Sequence, residues 1–242
     1  MIKQVLILAG GFGTRLGKLT EETPKPMLLV DEKPFAEYLV INLKRNGINK
    51  IIFSTGFCSN KIVNFFGDGS SYGIDISYIE ELTPLGTGGA IKNASIHLDS
   101  EFFVINGDSL FDINYEKLVD LLSTEANALV AIALRETSDV SRFGCVINDG
   151  LYVTGFTEKS LNNISGLING GVYLMKKEVL DFISEGRSSL EEDWFPKLAQ
   201  RKKLLGRRLD GYFIDIGVTD DFERSQIELP AWERGLLKTK IL

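Results

Sequence analysis

Histidine and cysteine are scarce in this chain. One histidine, His97, and two cysteines, Cys58 and Cys145, are all that 242 residues contain. A zinc centre or a histidine-based nucleophilic triad needs more than that. Two cysteines without a CxxC pair describe no disulfide framework; they are expected to be reduced thiols in a cytoplasmic protein, packed as small hydrophobes. His97 is expected at a helix end or in a loop, with no chemical role. Long apolar runs are missing as well. The opening MIKQVLILAGG offers only Val5–Ala9 before its glycines, too short for a signal peptide, and no stretch approaches the ~20 apolar residues of a membrane span. Nor is there an excess of positive charge. The formal charge is −6, which argues against nucleic acid as the main partner. A 44% hydrophobic content is enough for a substantial core.

What is present is alternation. QVLILA reads as a buried strand, and PFAEYLVINLKRNG as a helix ending at Gly47. KIIFSTG is a strand, SNKIVNFFGDG a short helix with an Asn or Ser cap, and DISYIEE a strand. GTGGAIKNASIHL is a glycine loop opening a helix, and EFFVINGD a strand whose apolar run stops at Asn106-Gly107-Asp108. YEKLVDLLSTEA and NALVAIALRE give another helix and strand. This alternation predicts an open parallel α/β sheet. After about Val140 the texture changes. FGCVINDGLYVTGFTEKS reads as a hairpin turning at Asn148-Asp149-Gly150, and GLINGGVYLMKK as a strand. KEVLDFIS is expected to be helical, and SSLEEDWFPKLAQRKKLLG a longer helix with Ser188 and Glu191 at capping-box spacing. LDGYFIDIG is a late strand, and TDDFERSQIELPAWERGLL a helical region broken near Pro230.

The most informative stretch is Ala9–Pro26, AGGFGTRLGKLTEETPKP, with four glycines, two lysines, one arginine and two prolines. A dinucleotide fingerprint would need glycine where Leu16 stands. A P-loop around Gly17-Lys18 fails at Phe12 and at Leu19. The cations point elsewhere. Glycine backbone N–H groups can converge on phosphate oxygens without Cβ interference, and Arg15 has a planar fork suited to polyphosphate. Lys25 lies between Pro24 and Pro26, which stiffen the backbone on both sides, as a lysine holding one phosphate would require.

These residues carry a resemblance. LILAGGFGTRLGKLTEETPKPMLLVDEKPFAEYLV resembles the signature of the sugar-1-phosphate nucleotidylyltransferases. PLGTGGAI, NGDSLFD, RFGCV, FTEK, NGGVY, SLEEDWFPKLA and DIGVTDDF look like the family's later motifs, in order. The combination PKPMLLVDEKPFAEYL, PLGTGGAI and NGDSLFDIN is similar to the members that use GTP and a manno-configured heptose 1-phosphate. The resemblance implies a Rossmann-like, open, mostly parallel α/β sheet in one domain. Residues 1–139 would bind nucleotide, 140–210 would form a small β-rich sugar-binding part, and 211–242 would supply a metal strand and C-terminal helix. The length leaves no room for the left-handed β-helix domain of some relatives.

The implied chemistry is attack of a sugar-1-phosphate oxygen on the α-phosphorus of a nucleoside triphosphate, releasing pyrophosphate, with Mg²⁺ as cofactor. Arg15 and Lys25 would be catalytic: Arg15 would stabilise departing pyrophosphate, and Lys25 the α-phosphate and incoming sugar phosphate. Leu8, Ala9, Gly10, Gly11, Gly13 and Thr14 would hold the nucleotide together with Pro84, Gly86, Thr87, Gly88 and Asp108. Gly86, Gly88 and Gly89 would let the backbone lie close to the base. Glu81 would read guanine, whose ring N–H and exocyclic amine suit two carboxylate oxygens, unless a register shift turns Glu80 inward. Gly144, Glu158, Lys159 and Asn169 would hold the sugar and its phosphate. Asp108 and Asp215 would ligate the metal, with Asp112 a rival; an acid flanked by apolar strand residues, as Asp215 is, needs a partner or an ion. The implied partners are small molecules, neither nucleic acid nor membrane, and the reading leaves room for a homo-oligomer.

Overall fold

The computed structural model describes residues 2–11, 13–140, 144–157 and 165–235. In chain order the elements are β1 (Gln4–Ala9), β2 (Leu29–Val30), β3 (Lys33–Pro34), α1 (Phe35–Arg45), β4 (Lys50–Thr55) and α2 (Ser59–Phe66). Then come β5 (Asp75–Glu80), α3 (Gly86–Asn93), β6 (Glu101–Asn106), β7 (Ser109–Asp112), α4 (Glu116–Ser123) and β8 (Val130–Thr137). The rest comprises β9 (Val146–Asp149), β10 (Tyr152–Phe156), β11 (Gly166–Lys176), α5 (Phe195–Gln200), β12 (Leu204–Arg208), β13 (Tyr212–Asp215) and α6 (Thr219–Glu233).

One large sheet runs β5-β4-β1-β6-β11-β8-β12-β10-β9. Strands β5, β4, β1 and β6 are parallel, with Val5 level with Ile51 and Phe103. β11 runs against both β6 and β8, and β12 is parallel to β8. Strand alternation splits the core into two layers. Val5, Ile7, Ile51, Phe53, Phe103 and Ile105 face α1, α2, α4 and α6. Leu6, Ile52, Phe102 and Val104 face α3 and α5. A separate ladder, β7 with β13, sets Asp215 opposite Ser109. The strands β9 to β12 are woven into the same sheet as the first half of the chain, with β11 and β12 flanking β8.

Several local expectations are corrected. α2 starts from Cys58, whose φ of 54° is left-handed, without any side-chain cap. KEVLDFIS forms only a 3-10 turn, Lys177–Asp181. The long helix from Ser188 is instead a π turn, Leu190–Trp194, followed by α5. Ser189 is the cap, accepting from Glu192 N at 3.2 Å, while the Asp193 carboxylate accepts from Ser189 N at 2.7 Å. Ser188 is one residue too early to cap this turn; it is buried, and its backbone pairs with Leu85 O and Gly88 N at 2.9 Å each. α6 runs through Pro230 rather than breaking, because Leu229, Pro230 and Trp232 are all buried against the core.

Behind the β7–β13 ladder, the Trp232 indole N–H donates to Asp112 Oδ2 at 2.8 Å, and Arg45 stacks on its ring at 4.6 Å. Asp112 therefore anchors α6, and the structure gives it no place beside Asp108 as a metal ligand. Replacing Trp232 by Phe leaves that carboxylate without its donor and is expected to cost about 2 kcal/mol, read as a lower urea midpoint with an unchanged slope.

Candidate active site

The parallel strands β1, β4, β5 and β6 end at Ala9, Thr55, Glu80 and Asn106. Their carboxyl ends face one crevice, where open α/β sheets bind ligands. A cavity of about 390 Å³ opens there. The first strand brings Leu8, Ala9, Gly10 and Gly11 to its wall, and Arg15, Lys25, Glu81, Pro84, Gly86, Thr87 and Asp108 complete the expected lining. A side chain at Gly10 would overlap the Glu81 carboxylate, so only glycine admits that close approach.

The loop after β1 is braced by a residue the sequence reading passed over. Thr20 is buried, and its hydroxyl is within 3.0 Å of Gly13 O and 3.2 Å of Gly17 O. Gly13 has φ of 66°, and a β-carbon there would come 2.9 Å from the Thr20 methyl and 3.3 Å from the Lys25 stem. Glycine at 13 thus leaves room for Thr20 and the Lys25 stem. Thr14, at the start of the following 3-10 turn, is exposed and does not line the cavity.

The charged centre joins three segments. Lys25 Nζ lies 2.6 Å from Asp108 Oδ2, with the lysine side chain 10% exposed. Ile216 N donates to Asp108 O at 2.9 Å, and Gly217 N to Asp215 Oδ1 at 2.6 Å. A β-carbon on Gly217 would come 3.3 Å from Arg15 Nη2, which puts that guanidinium beside the Asp215 turn. Burial raises the Asp215 carboxyl to about 6, and the charge of Asp108 pushes it the same way, against the Gly217 N–H, Lys25 and Arg15. A buried acid crowded by a second carboxylate favours a cation.

Glu81, not Glu80, faces the cavity; Glu80 instead accepts from Ser59 Oγ at 3.1 Å. Gly88 and Gly89 are not in the lining. A β-carbon on Gly88 would come 2.6 Å from Ser188 Oγ and 2.9 Å from Trp194 Nε1, and Gly88 N donates to Ser188 O at 2.9 Å. A β-carbon on Gly89 would strike Gly186 O. These glycines, expected beside a base, instead seat the strap 186–194 on α3. Thr87 Oγ1 holds the same strap by accepting from Leu190 N at 2.8 Å.

The strap carries Arg187 and Glu191 to the cavity wall, where Asn106 and Tyr173 also stand. The sequence reading named none of these four as site residues. Asn169 does not line the cavity but organises those that do. Its Nδ2 is 2.8 Å from Tyr173 Oη and 2.7 Å from Glu191 Oε1, while Gly171 N donates to its Oδ1 at 2.9 Å. Burial, then the charge of Glu191, pushes the Tyr173 hydroxyl above the usual phenol range. Gly144, with φ of 79°, donates its N–H to Val140 O and is absent from the lining. Glu158 and Lys159 lie outside the described residues.

An α/β sheet with glycines, cations and paired acids at its strand ends defines a nucleotide-handling enzyme class, and the comparisons specify it. A model of the nucleotidyl transferase family matches residues 4–230, and the chain belongs to that family. It is 39% identical over 229 residues to D-glycero-alpha-D-manno-heptose 1-phosphate guanylyltransferase of Aneurinibacillus thermoaerophilus, covering 93% of this chain and 98% of that protein. Its identity to the Campylobacter jejuni protein of the same name is 38%, covering 90% of this chain and 96% of the other. Among solved structures, HddC from Yersinia pseudotuberculosis complexed with GMP-PN superposes with a TM-score of 0.83 at 32% identity, covering 94% of this chain and 99% of that one.

Two outcomes follow from this geometry. In its native setting the Asp215 carboxyl holds its proton more tightly than at its ordinary value of 3.8. Its contribution to stability is therefore fully present below about 4 and is lost as pH rises through about 6. Urea unfolding across that range should show wild type losing stability relative to Asp215→Asn. Gly88→Ala should lower stability by roughly 1–3 kcal/mol through overpacking under the strap, and should weaken nucleotide binding in titration calorimetry.

Proposed function

We propose that the protein transfers GMP from GTP to a sugar 1-phosphate, with D-glycero-α-D-manno-heptose 1-phosphate as acceptor. The observation that carries this reading is the cluster of Arg15, Lys25, Asp108 and Asp215 beside a glycine-lined cavity. The names of the relatives and the GMP-PN complex support the choice of base and sugar.

An oxygen of the sugar phosphate attacks the α-phosphorus; a new P–O bond forms as the bond to the β-phosphate breaks, and pyrophosphate departs. The nucleophile is already an anion at neutral pH, so no general base is required. That suits a chain with one histidine. The protein has to bring two polyanions together and hold them in line, which is positioning and charge neutralisation. Backbone N–H groups of Gly10 and Gly11 receive the triphosphate. Lys25, steadied by Asp108, lies between the α-phosphate and the incoming phosphate. Arg15 offsets charge gathering on the leaving pyrophosphate. Glu158 takes sugar hydroxyls and Lys159 the sugar phosphate.

Asp108 and Asp215 fit a magnesium ion, since Mg²⁺ commonly uses one or two carboxylates together with substrate phosphates. Bound there, it would neutralise phosphate charge and help align the α-phosphate. Glu81 reads guanine by accepting from its ring N–H and amine.

Pyrophosphate release should be measured with Mg²⁺ over a grid of GTP, UTP, ATP and several sugar 1-phosphates. Turnover is expected with GTP and the heptose phosphate, and Asp108→Asn should reduce it roughly 100- to 1,000-fold, as loss of a group that stabilises the transition state does. Turnover confined to UTP and a hexose phosphate would overturn the substrate assignment. An active Asp108→Asn enzyme would remove that acid from the metal site.

A further inference from the structure

The base-reading carboxylate has two protein donors of its own. Ser54, at the end of β4, is 0% exposed, and its hydroxyl donates to Glu81 Oε1 at 2.9 Å. Leu85 N donates to Glu81 Oε2 at 3.1 Å. The Glu81 backbone is tied in turn, its N–H donating to Thr55 O at 2.7 Å. Each carboxylate oxygen offers about two acceptor sites. One on each oxygen is occupied from the protein side, and the others are left to the cavity that Glu81 lines. A β-carbon on Gly10 would overlap the same carboxylate, so glycine there leaves Glu81 the room to take this position.

We infer that Ser54 is a positioning residue for base selection. With the Leu85 amide it fixes Glu81 as an edge of two adjacent acceptors, and that edge selects a purine presenting two adjacent donors. The inference rests on the reading that Glu81 meets guanine. The two donors are not equivalent. The Leu85 N–H can only donate, whereas the Ser54 hydroxyl can rotate and accept. In Glu81→Gln the amide oxygen must therefore stay at Leu85, and the NH₂ must turn to Ser54. The cavity then meets an acceptor beside a donor, in one fixed order. That order no longer complements two adjacent donors, so the guanine amine loses its acceptor, while the ring N–H beside a carbonyl that guanine, hypoxanthine and uracil all present is still served.

The test uses GTP and ITP, because hypoxanthine keeps the ring N–H and lacks the 2-amino group. Dissociation constants are measured by calorimetry on the full chain, without sugar phosphate, beside thermal melts. Wild type should bind GTP roughly 10- to 100-fold more tightly than ITP, the range of a hydrogen bond to a charged group. In Ser54→Ala that ratio should fall to about threefold or less as the carboxylate edge loses its orientation. Ser54→Cys, near in size and a weak donor, should do the same and answers the question if the alanine variant does not fold. Glu81→Gln should lose the preference for GTP over ITP, because its edge no longer offers an acceptor to the 2-amino group.

A wild type indifferent to GTP and ITP, or a ratio surviving Glu81→Ala, would overturn the guanine reading itself. A ratio lost in Glu81→Ala and kept in both Ser54 variants would overturn the role of Ser54 alone. A merely structural Ser54 would move melting temperature and both affinities together, leaving their ratio intact, and that result also refutes the inference.

Discussion

Two carboxylates that repel one another are held side by side, and much of the structure exists to make that tolerable. Asp108 ends one strand turn and Asp215 another; the β7–β13 ladder brings them to the same level, and the hydrogen bond from Ile216 N to Asp108 O locks the turns together. Burial makes the repulsion worse, since low-dielectric surroundings penalise charge. Lys25 and Arg15 are the local answer, and both come from the loop after β1. That loop must return across the mouth of the sheet to reach the pair, which explains Thr20 as a brace on Gly13 and Gly17. Stability is being given up locally for a charge pattern that a phosphate and a cation can complete.

The glycines divide into two groups with different tasks. Gly10 and Gly11 line the cavity, whereas Gly88 and Gly89 admit another part of the protein. By accepting the strap 186–194, they bring Arg187 and Glu191 over the cavity from a region far along the chain. Asn169 then links Glu191 to Tyr173, so the strap and the centre of the sheet share one hydrogen-bonded hub. Two walls of the cavity, one from the strap and one from β11, meet there rather than in separable lobes.

Much of the site is legible from local sequence because its chemistry is local. Gly10, Gly11, Arg15 and Lys25 sit within one loop, and the proline pair around Lys25 declares its stiffness. Asp215 is visible as an acid between isoleucines. The long strands and helices before Val140 follow from periodicity, but the short β2, β3 and β7 do not, being only two to four residues each. What was hidden depends on long-range packing. Arg187 in GRSS looks like any exposed arginine until the strap is placed. Asn106 and Tyr173 read as ordinary strand residues, and the partner of Asp112 is a tryptophan 120 positions away. The capping-box spacing points to Ser188, whereas the fold buries Ser188 against α3 and leaves the capping to Ser189. The family resemblance supplied the order of motifs, but it assigned Gly88 a neighbour that the fold gives to the strap.

The sheet order has a consequence for how the chain is made. Strands β1, β4, β5 and β6 can pair as soon as they are synthesised, but β8 has both of its neighbours, β11 and β12, still to come. A nascent chain ending near residue 139 therefore displays one open edge on β6 and a wholly unpaired, apolar β8, the kind of surface that invites pairing with other chains. β11 must enter between them, antiparallel to both, before the centre of the sheet closes. Asp215 arrives later still. Biosynthesis thus assembles the phosphate loop first and the carboxylate pair last, so the charge repulsion at the heart of the molecule is met only once the sheet around it can be complete.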